Sequence, residues 1–403
     1  MHFSTLTAAV LVLAGTSIAS PVWSDAPAAP TPPAPPKGGP GGPPKPPGPP
    51  APPGGGPGKP PGPPGPPQQP TGLNAAIKSR GKEWFGTALT IRNDTAERAI
   101  LTNINEIGSV TPENAMKWES TEPNRGNFTF ADADAIAAFA TANGKEIHCH
   151  NFVWHSQLAP WVTEGNFDNA TLIQIMKDHI YALGGRYKDV CTRWDVVNEA
   201  LNENGTYRSS VWYDTIGEAF LPIAFRFAAE ATPKSKLYYN DYNLEYGQNK
   251  TAGAARIVEL IKSYGVRIDG VGFQAHLAAE ATGTVPDGPP SHDTLVGSLE
   301  TMTNLGVDVA YTELDLRVNT TDADGFEASP ASLEAQADAY STVVSSCMDV
   351  KRCRGITVWG ISDRYSWIPG VFPGEGAALL WDADFQKKAA YNATLETILS
   401  YRP

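Results

Sequence analysis

From residue 71 onward the chain alternates two kinds of hydrophobic pattern. Short runs rich in β-branched and aromatic residues occupy 84–89, 109–111, 146–153, 193–197, 236–240, 270–274, 308–312 and 355–359. They are apolar nearly throughout, as strands covered on both faces are. Between them lie 131–142, 171–187, 216–231, 252–264, 292–305 and 333–348, whose apolar positions recur at helical spacing. In 131–142, Ile136, Phe139 and Ala140 share a face, and Asn143-Gly144 stops the helix. Strands separated by helices predict a parallel sheet. Closure into an eight-stranded (β/α)8 TIM barrel, of class α/β, is the simplest arrangement. An open doubly wound sheet is the alternative. No glycine-rich phosphate loop supports it, since Gly270-Val271-Gly272 lacks the third glycine.

Upstream of residue 71 the pattern is absent. The apolar run Ala8 to Ala14, followed by Ser17-Ile18-Ala19, reads as a signal peptide over 1–19. It is too short to span a bilayer. Of the chain's 36 prolines, 24 fall between Pro21 and Pro70, so the mean composition averages two different objects. Proline removes backbone donors and glycine adds chain entropy, so 20–70 is expected to be a disordered Pro/Gly-rich tether without a core. Residues 71–403 then form one catalytic barrel domain.

Charge narrows the partners. Lys plus Arg number 31 against 43 Asp plus Glu, a net charge of −12. Such a chain is a poor candidate for nucleic acid or an anionic membrane, which need clustered cations. A neutral substrate fits. No CxxC pair occurs among the four cysteines, which excludes the usual zinc and thioredoxin-type motifs.

Polar residues concentrate where the predicted strands end. Those ends carry Thr111-Pro112-Glu113-Asn114-Ala115-Met116-Lys117-Trp118, then His150-Asn151-Phe152-Val153-Trp154-His155-Ser156-Gln157. Trp194-Asp195-Val196-Val197-Asn198-Glu199, Asn240-Asp241-Tyr242-Asn243, Gln274-Ala275-His276 and Thr312-Glu313-Leu314-Asp315 follow, with Trp359 and Trp367 last. In a barrel these tips converge on one face, where barrel active sites lie. Glu199 and Glu313 stand out: each follows an apolar strand, and they end strands on opposite sides of the barrel mouth. Cleaving an acetal needs one group to protonate the leaving oxygen and another to stabilise or attack the anomeric carbon. His148, His150 and His155 share a strand region, but carbohydrate contact and core packing explain them better than a metal. No metal or cofactor is expected.

The strings TPENAMKW, WHSQ, WDVVNEAL, YNDYN, GFQAHL, TELDLR and ITVWGISD, in this order, resemble endo-β-1,4-xylanases of glycoside hydrolase family 10. The resemblance covers residues 72 to 403 and implies a retaining hydrolase of xylan. It implies that Glu199 is the acid/base and Glu313 the nucleophile. Asn198 would donate to the sugar 2-hydroxyl, and His276, backed by Asp315, would orient Glu313. Glu113, Asn114, Lys117, His150, Trp154, Gln157 and Gln274 would bind substrate, with Trp359 and Trp367 as walls around the cleaved sugar. Tyr242 would stack on the leaving-group side. An acid needs a raised pKa and a nucleophile an ionised one, so Glu199 is expected high. A retaining pair stands about 5–5.5 Å apart.

The expected partner is xylan or a xylo-oligosaccharide, acted on by a secreted monomer. Alternatives are a β-1,4-glucanase, a mixed xylanase/glucanase, or a non-catalytic polysaccharide-binding barrel. Cys347 and Cys353 are expected to form a disulfide; they close a short loop, the export route is oxidising, and the family often bridges there. Cys149 and Cys191, placed near opposite ends of adjacent strands, are expected to be buried unpaired thiols. Seven Asn-X-Ser/Thr sequons start at Asn93, Asn127, Asn169, Asn204, Asn249, Asn319 and Asn392, candidates for a glycoprotein.

Overall fold

A computed structural model describes residues 70–402. The expected signal peptide and tether lie outside the described residues. Eight parallel strands form the sheet: β1 (Trp84–Leu89), β2 (Ser109–Pro112), β3 (Glu146–Val153), β4 (Cys191–Asn198), β5 (Lys236–Asp241), β6 (Gly270–Phe273), β7 (Asp308–Asn319) and β8 (Cys353–Val358). Each pairs with the next, and β8 pairs with β1, so the sheet closes and no barrel edge is left open. This is the (β/α)8 barrel that the pattern predicts.

The strands are buried along almost their whole length, which is why they read as apolar runs. Alternate residues face opposite ways. Phe85 and Leu89 join the main core, whereas Trp84, Tyr238 and Ala310 make a separate cluster on the other face. Two glycines leave room for the large rings of that cluster. A Cβ on Gly355 would lie 2.3 Å from the Trp84 ring, and one on Gly270 would lie 2.4 Å from the Tyr238 ring.

The helices start where side chains can satisfy their free N–H groups. Asp94 accepts from the N–H of Ala96 and Glu97, and Asp168 accepts from Thr171. Ser210, Ser291 and Ser329 do the same for three more helices. The helix expected over 216–231 starts later, at Phe220–Ala231, and a separate short helix, Val211–Ile216, ends before it at Gly217 with φ 79°. All seven sequon asparagines are exposed.

One expectation about the cysteines is overturned. Cys347 and Cys353 are bonded as expected, but Cys149 and Cys191 are bonded too, with Cα atoms 5.8 Å apart. β4 begins at Cys191, two residues earlier than its apolar run suggests, and pairs there with Ile147. The register then shifts between Ile147 and His148, so that Thr192 is passed over and Cys191 stays within reach of Cys149. Both half-cystines are buried, as expected, but they are not free thiols.

Candidate functional site

The C-terminal strand ends bring the two glutamates onto one network of amides. Gln274 Nε2 donates to Glu199 Oε1 at 3.0 Å and to Asn198 Oδ1 at 3.2 Å. Asn240 Nδ2 donates to the same Asn198 oxygen at 2.9 Å and to Glu313 Oε1 at 2.7 Å. Thr312 Oγ1 donates to Asn240 Oδ1 at 2.6 Å, which fixes that amide's orientation. Since the Asn198 oxygen accepts twice, its NH₂ is the group left over. That NH₂ makes one long bond to Glu199, at 3.3 Å.

The two carboxyl groups have different surroundings. Glu313 Oε2 faces His276 Nε2 at 3.1 Å, and His276 Nδ1 faces Asp315 Oδ2 at 2.8 Å. A ring between two carboxylates must donate from both nitrogens, so it carries a proton on each. Burial alone would lower its pKa, but Asp315 and then Glu313 push it up to about 10. The Asp315 carboxylate also accepts from Trp367 Nε1 at 2.9 Å.

Glu199 differs from its expected direction. Burial pushes its pKa up, yet His155, Gln274, Trp154 and Arg208 together hold it below the usual value. The Trp154 indole N–H is close enough to favour the carboxylate but makes no hydrogen bond of normal geometry. Burial lowers the pKa of His155 to about 4. Above that pH the imidazole is neutral and lends Glu199 no positive charge. Gln274, Trp154 and the Arg208 guanidinium remain to oppose burial.

The remaining expected residues surround this pair. Lys117 Nζ donates to Asn114 at 3.0 Å and to Gln157 at 2.7 Å, and lies 4.9 Å from the Trp154 ring centre. Burial lowers its pKa, while Glu313, Glu113 and Glu199 pull it up. Glu113 accepts from Thr90 at 2.5 Å and Arg92 at 3.3 Å. Trp359 packs edge-on against His150 and His276, and Trp367 against His276. Tyr242 receives a bond from Arg208 at 2.6 Å and has Lys250 Nζ 3.1 Å from its ring centre. His148 and His150 both bind the buried Asp195, at 2.9 Å each. Among the described residues no group of three or more His, Cys, Asp or Glu is arranged to hold a metal.

Sequence reasoning placed its candidate residues in one region but missed some of their supports. Asn240 and Thr312 tie the amide chain together, and Arg208 acts on Glu199 beside His155, which was expected as a sugar contact or core residue. Asn240 and Thr312 stand inside the quoted strand-end strings, so a polar residue at the last strand position was the available signal. Arg208 lies in a loop whose sequence carries no comparable cue.

A family model described as Glycosyl hydrolase family 10 matches residues 72–397. "Endo-1,4-beta-xylanase 2" of Aureobasidium pullulans is 62% identical over 333 residues, spanning 82% of this chain and 91% of its own. "Endo-1,4-beta-xylanase A" of Fusarium oxysporum f. sp. lycopersici is 60% identical over 328 residues, spanning 81% and 98%. Among solved structures, a GH10 xylanase from Bispora sp. MEY-1 with xylobiose superposes with a TM-score of 0.76 at 37% identity, covering 81% of this chain and all of that one. The closed barrel and this likeness along nearly the whole described chain agree: the chain belongs to glycosyl hydrolase family 10.

Proposed function

We propose that this is a secreted endo-β-1,4-xylanase that cuts internal linkages of xylan with retention of configuration. Glu313 is the nucleophile and Glu199 the acid/base. The observation that carries the reading is the pair of carboxyl groups joined by one amide chain, one of them facing the His276–Asp315 pair and the other not. Glu313 faces a protonated imidazole, which donates to one of its oxygens and orients the other. Glu199 has amide donors, a neutral imidazole above pH about 4, and a half-buried position.

In the first step a Glu313 oxygen bonds to the anomeric carbon as the glycosidic C–O bond breaks. The proton of Glu199 passes to the departing oxygen. In the second step water attacks the same carbon and gives its proton to Glu199. The sugar–Glu313 bond breaks and the carboxylate is restored. The Asn198 NH₂ donates to the 2-hydroxyl, a bond that strengthens as charge develops at the ring. Sugar entering the cleft displaces water from Glu199. The upward push of burial then grows, and the acid is favoured when it is needed. Lys117, Asn114, Gln157, Glu113, His150 and Trp154 hold the donor-side sugars, and Trp359 and Trp367 cover the cleaved one. Tyr242, stiffened by Arg208 and Lys250, stacks beneath the leaving group.

Two variants separate the roles. Glu199→Ala should lower kcat on xylan by roughly 10²–10⁴-fold. It should suffer much less on aryl xylobiosides with acidic phenols, and azide should then give a β-glycosyl azide. Glu313→Ala should be inactive on both substrates, with any azide product in the α configuration. Exchanged azide products would reverse the assignment. Near-full activity in both variants would place the site elsewhere. Greater turnover on carboxymethylcellulose than on xylan would make the enzyme a glucanase.

A further inference from the structure

Strand β6 ends at a bend, Gln274-Ala275-His276, and the chain then runs on as a short strand, His276–Ala278, beside β7. Ala275 has φ 58°, the left-handed region that a residue with a Cβ seldom adopts. The bend aims its two flanking side chains at different targets. Gln274 reaches Glu199, and His276 reaches Glu313.

Most of the bend's backbone is held by the sheet. The Gln274 N–H donates to Asp241 O at 3.0 Å, its carbonyl accepts from Glu313 at 3.0 Å, and the Ala275 carbonyl accepts from Asp315 at 3.2 Å. The Ala275 N–H is the exception. It donates to a side chain, Glu245 Oε1, at 2.7 Å. Glu245 sits in the turn Leu244–Tyr246 after β5 and is fully buried. Its second oxygen has no hydrogen-bond partner. Burial raises its pKa to about 7, against the pull of its own backbone N–H, the Ala275 N–H, His276 and Lys250. The Tyr246 and Tyr311 rings also lie within its field. A buried carboxyl with one oxygen unsatisfied costs folding free energy that an apolar side chain of similar size would not. Packing therefore does not explain it.

We propose that Glu245 is a positioning residue for both catalytic carboxyl groups. By gripping the Ala275 N–H it fixes the one bend from which Gln274 holds Glu199 and His276 holds Glu313. The inference rests on the roles given above to those two glutamates. Either protonation state of Glu245 presents an acceptor, so the grip needs an oxygen at Oε1 rather than a charge.

Three variants of the full chain test this, each with its folded fraction and melting temperature measured. Glu245→Ala removes the acceptor. It should lower kcat on xylan by roughly 10- to 100-fold, the scale of a misplaced catalytic group, with KM within about two-fold. Unlike Glu199→Ala, it should lose a similar factor on aryl xylobiosides, because the His276 end of the bend is loosened as well. Glu245→Gln keeps an oxygen in place and should restore kcat to within about three-fold of the parent. Should Glu245→Ala not fold, Glu245→Asp, whose acceptor is drawn back by one methylene, makes the same comparison. Equal losses in the Gln variant and the truncated one, or a loss matching only the fall in folded fraction, would overturn the proposal. If Glu199→Ala and Glu313→Ala are crippled while Glu245→Ala is not, this inference fails alone. If those two keep their activity, the functional reading fails first.

Discussion

Glu199 has φ 55°, so its carboxyl is presented from a backbone shape that ordinary residues avoid. Its own N–H donates to Asn240 O at 2.9 Å, and the next N–H donates to Tyr239 Oη at 3.2 Å. These bonds hold the conformation. A neighbouring charge also acts on this carboxyl. Arg208 stabilises the Glu199 carboxylate. Removing that charge should raise the Glu199 pKa and keep the acid protonated to higher pH. In Arg208→Gln the alkaline limb of kcat/KM should therefore move upward, which a pH–rate profile on an aryl xylobioside would read. A limb that stays put or moves down contradicts the assignment of Glu199 as the acid. At this scale the sequence was legible where a strand end met a reactive side chain. Glu199, Glu313 and His276 follow from that rule. The direction of the Glu199 pKa was not, because it depends on Arg208 and His155, which come from other loops.

At the scale of elements, the strands were legible because burial on both faces writes each as an apolar run. Their ends were less so. β7 runs on to Asn319, well past the expected 312, because the short strand His276–Ala278 pairs with its second half. Nothing in the sequence marks Ala275 as left-handed, so that continuation was invisible. The start of β4 was also misjudged, and with it the Cys149–Cys191 bond. The two disulfides should differ in worth. In the loop-entropy view a bridge stabilises mainly by restricting the unfolded chain. Sequence separations of 42 and 6 residues correspond to about 4 and about 2 kcal/mol. Cys149→Ala with Cys191→Ala should therefore lower stability more than Cys347→Ala with Cys353→Ala, as denaturant titration of the two double variants would show. The reverse order would mean that native-state packing, not chain entropy, governs both.

Across the whole molecule, several buried groups favour their protonated forms, and their effects on folding add. Burial raises Asp241 to about 6 and Glu245 to about 7, and His276 is raised to about 10. A group with a higher pKa folded than unfolded gives stability that is full below its unfolded pKa and lost as pH climbs through its folded one. Asp241 and Glu245 thus lose their share between about pH 4 and 7, and His276 between about 6.5 and 10. Lys82 and Lys145, lowered to about 8 by burial, act the other way above that pH, and His155, lowered to about 4 by burial, acts the other way between about 4 and 6.5 and offsets Asp241 and Glu245 there. The melting temperature should therefore fall from pH 7 to pH 8, and His276→Asn should flatten that fall. A flat or rising curve over that range would refute it. The fold, at this scale, was the most legible feature, since strand and helix alternate plainly and closure needs no special residue. Lys82 and Lys145 donate to the carbonyls of Val350 and Ile107, close to where β8 and β2 begin. Cys191 and Cys353 are the first residues of β4 and β8. The fastenings thus gather towards the strand starts, and the chemistry hangs from the strand ends. A lineage, or a laboratory library, can rewrite the loops at the strand ends while the ties at the strand starts are left untouched. The barrel's two ends give this enzyme its evolvability.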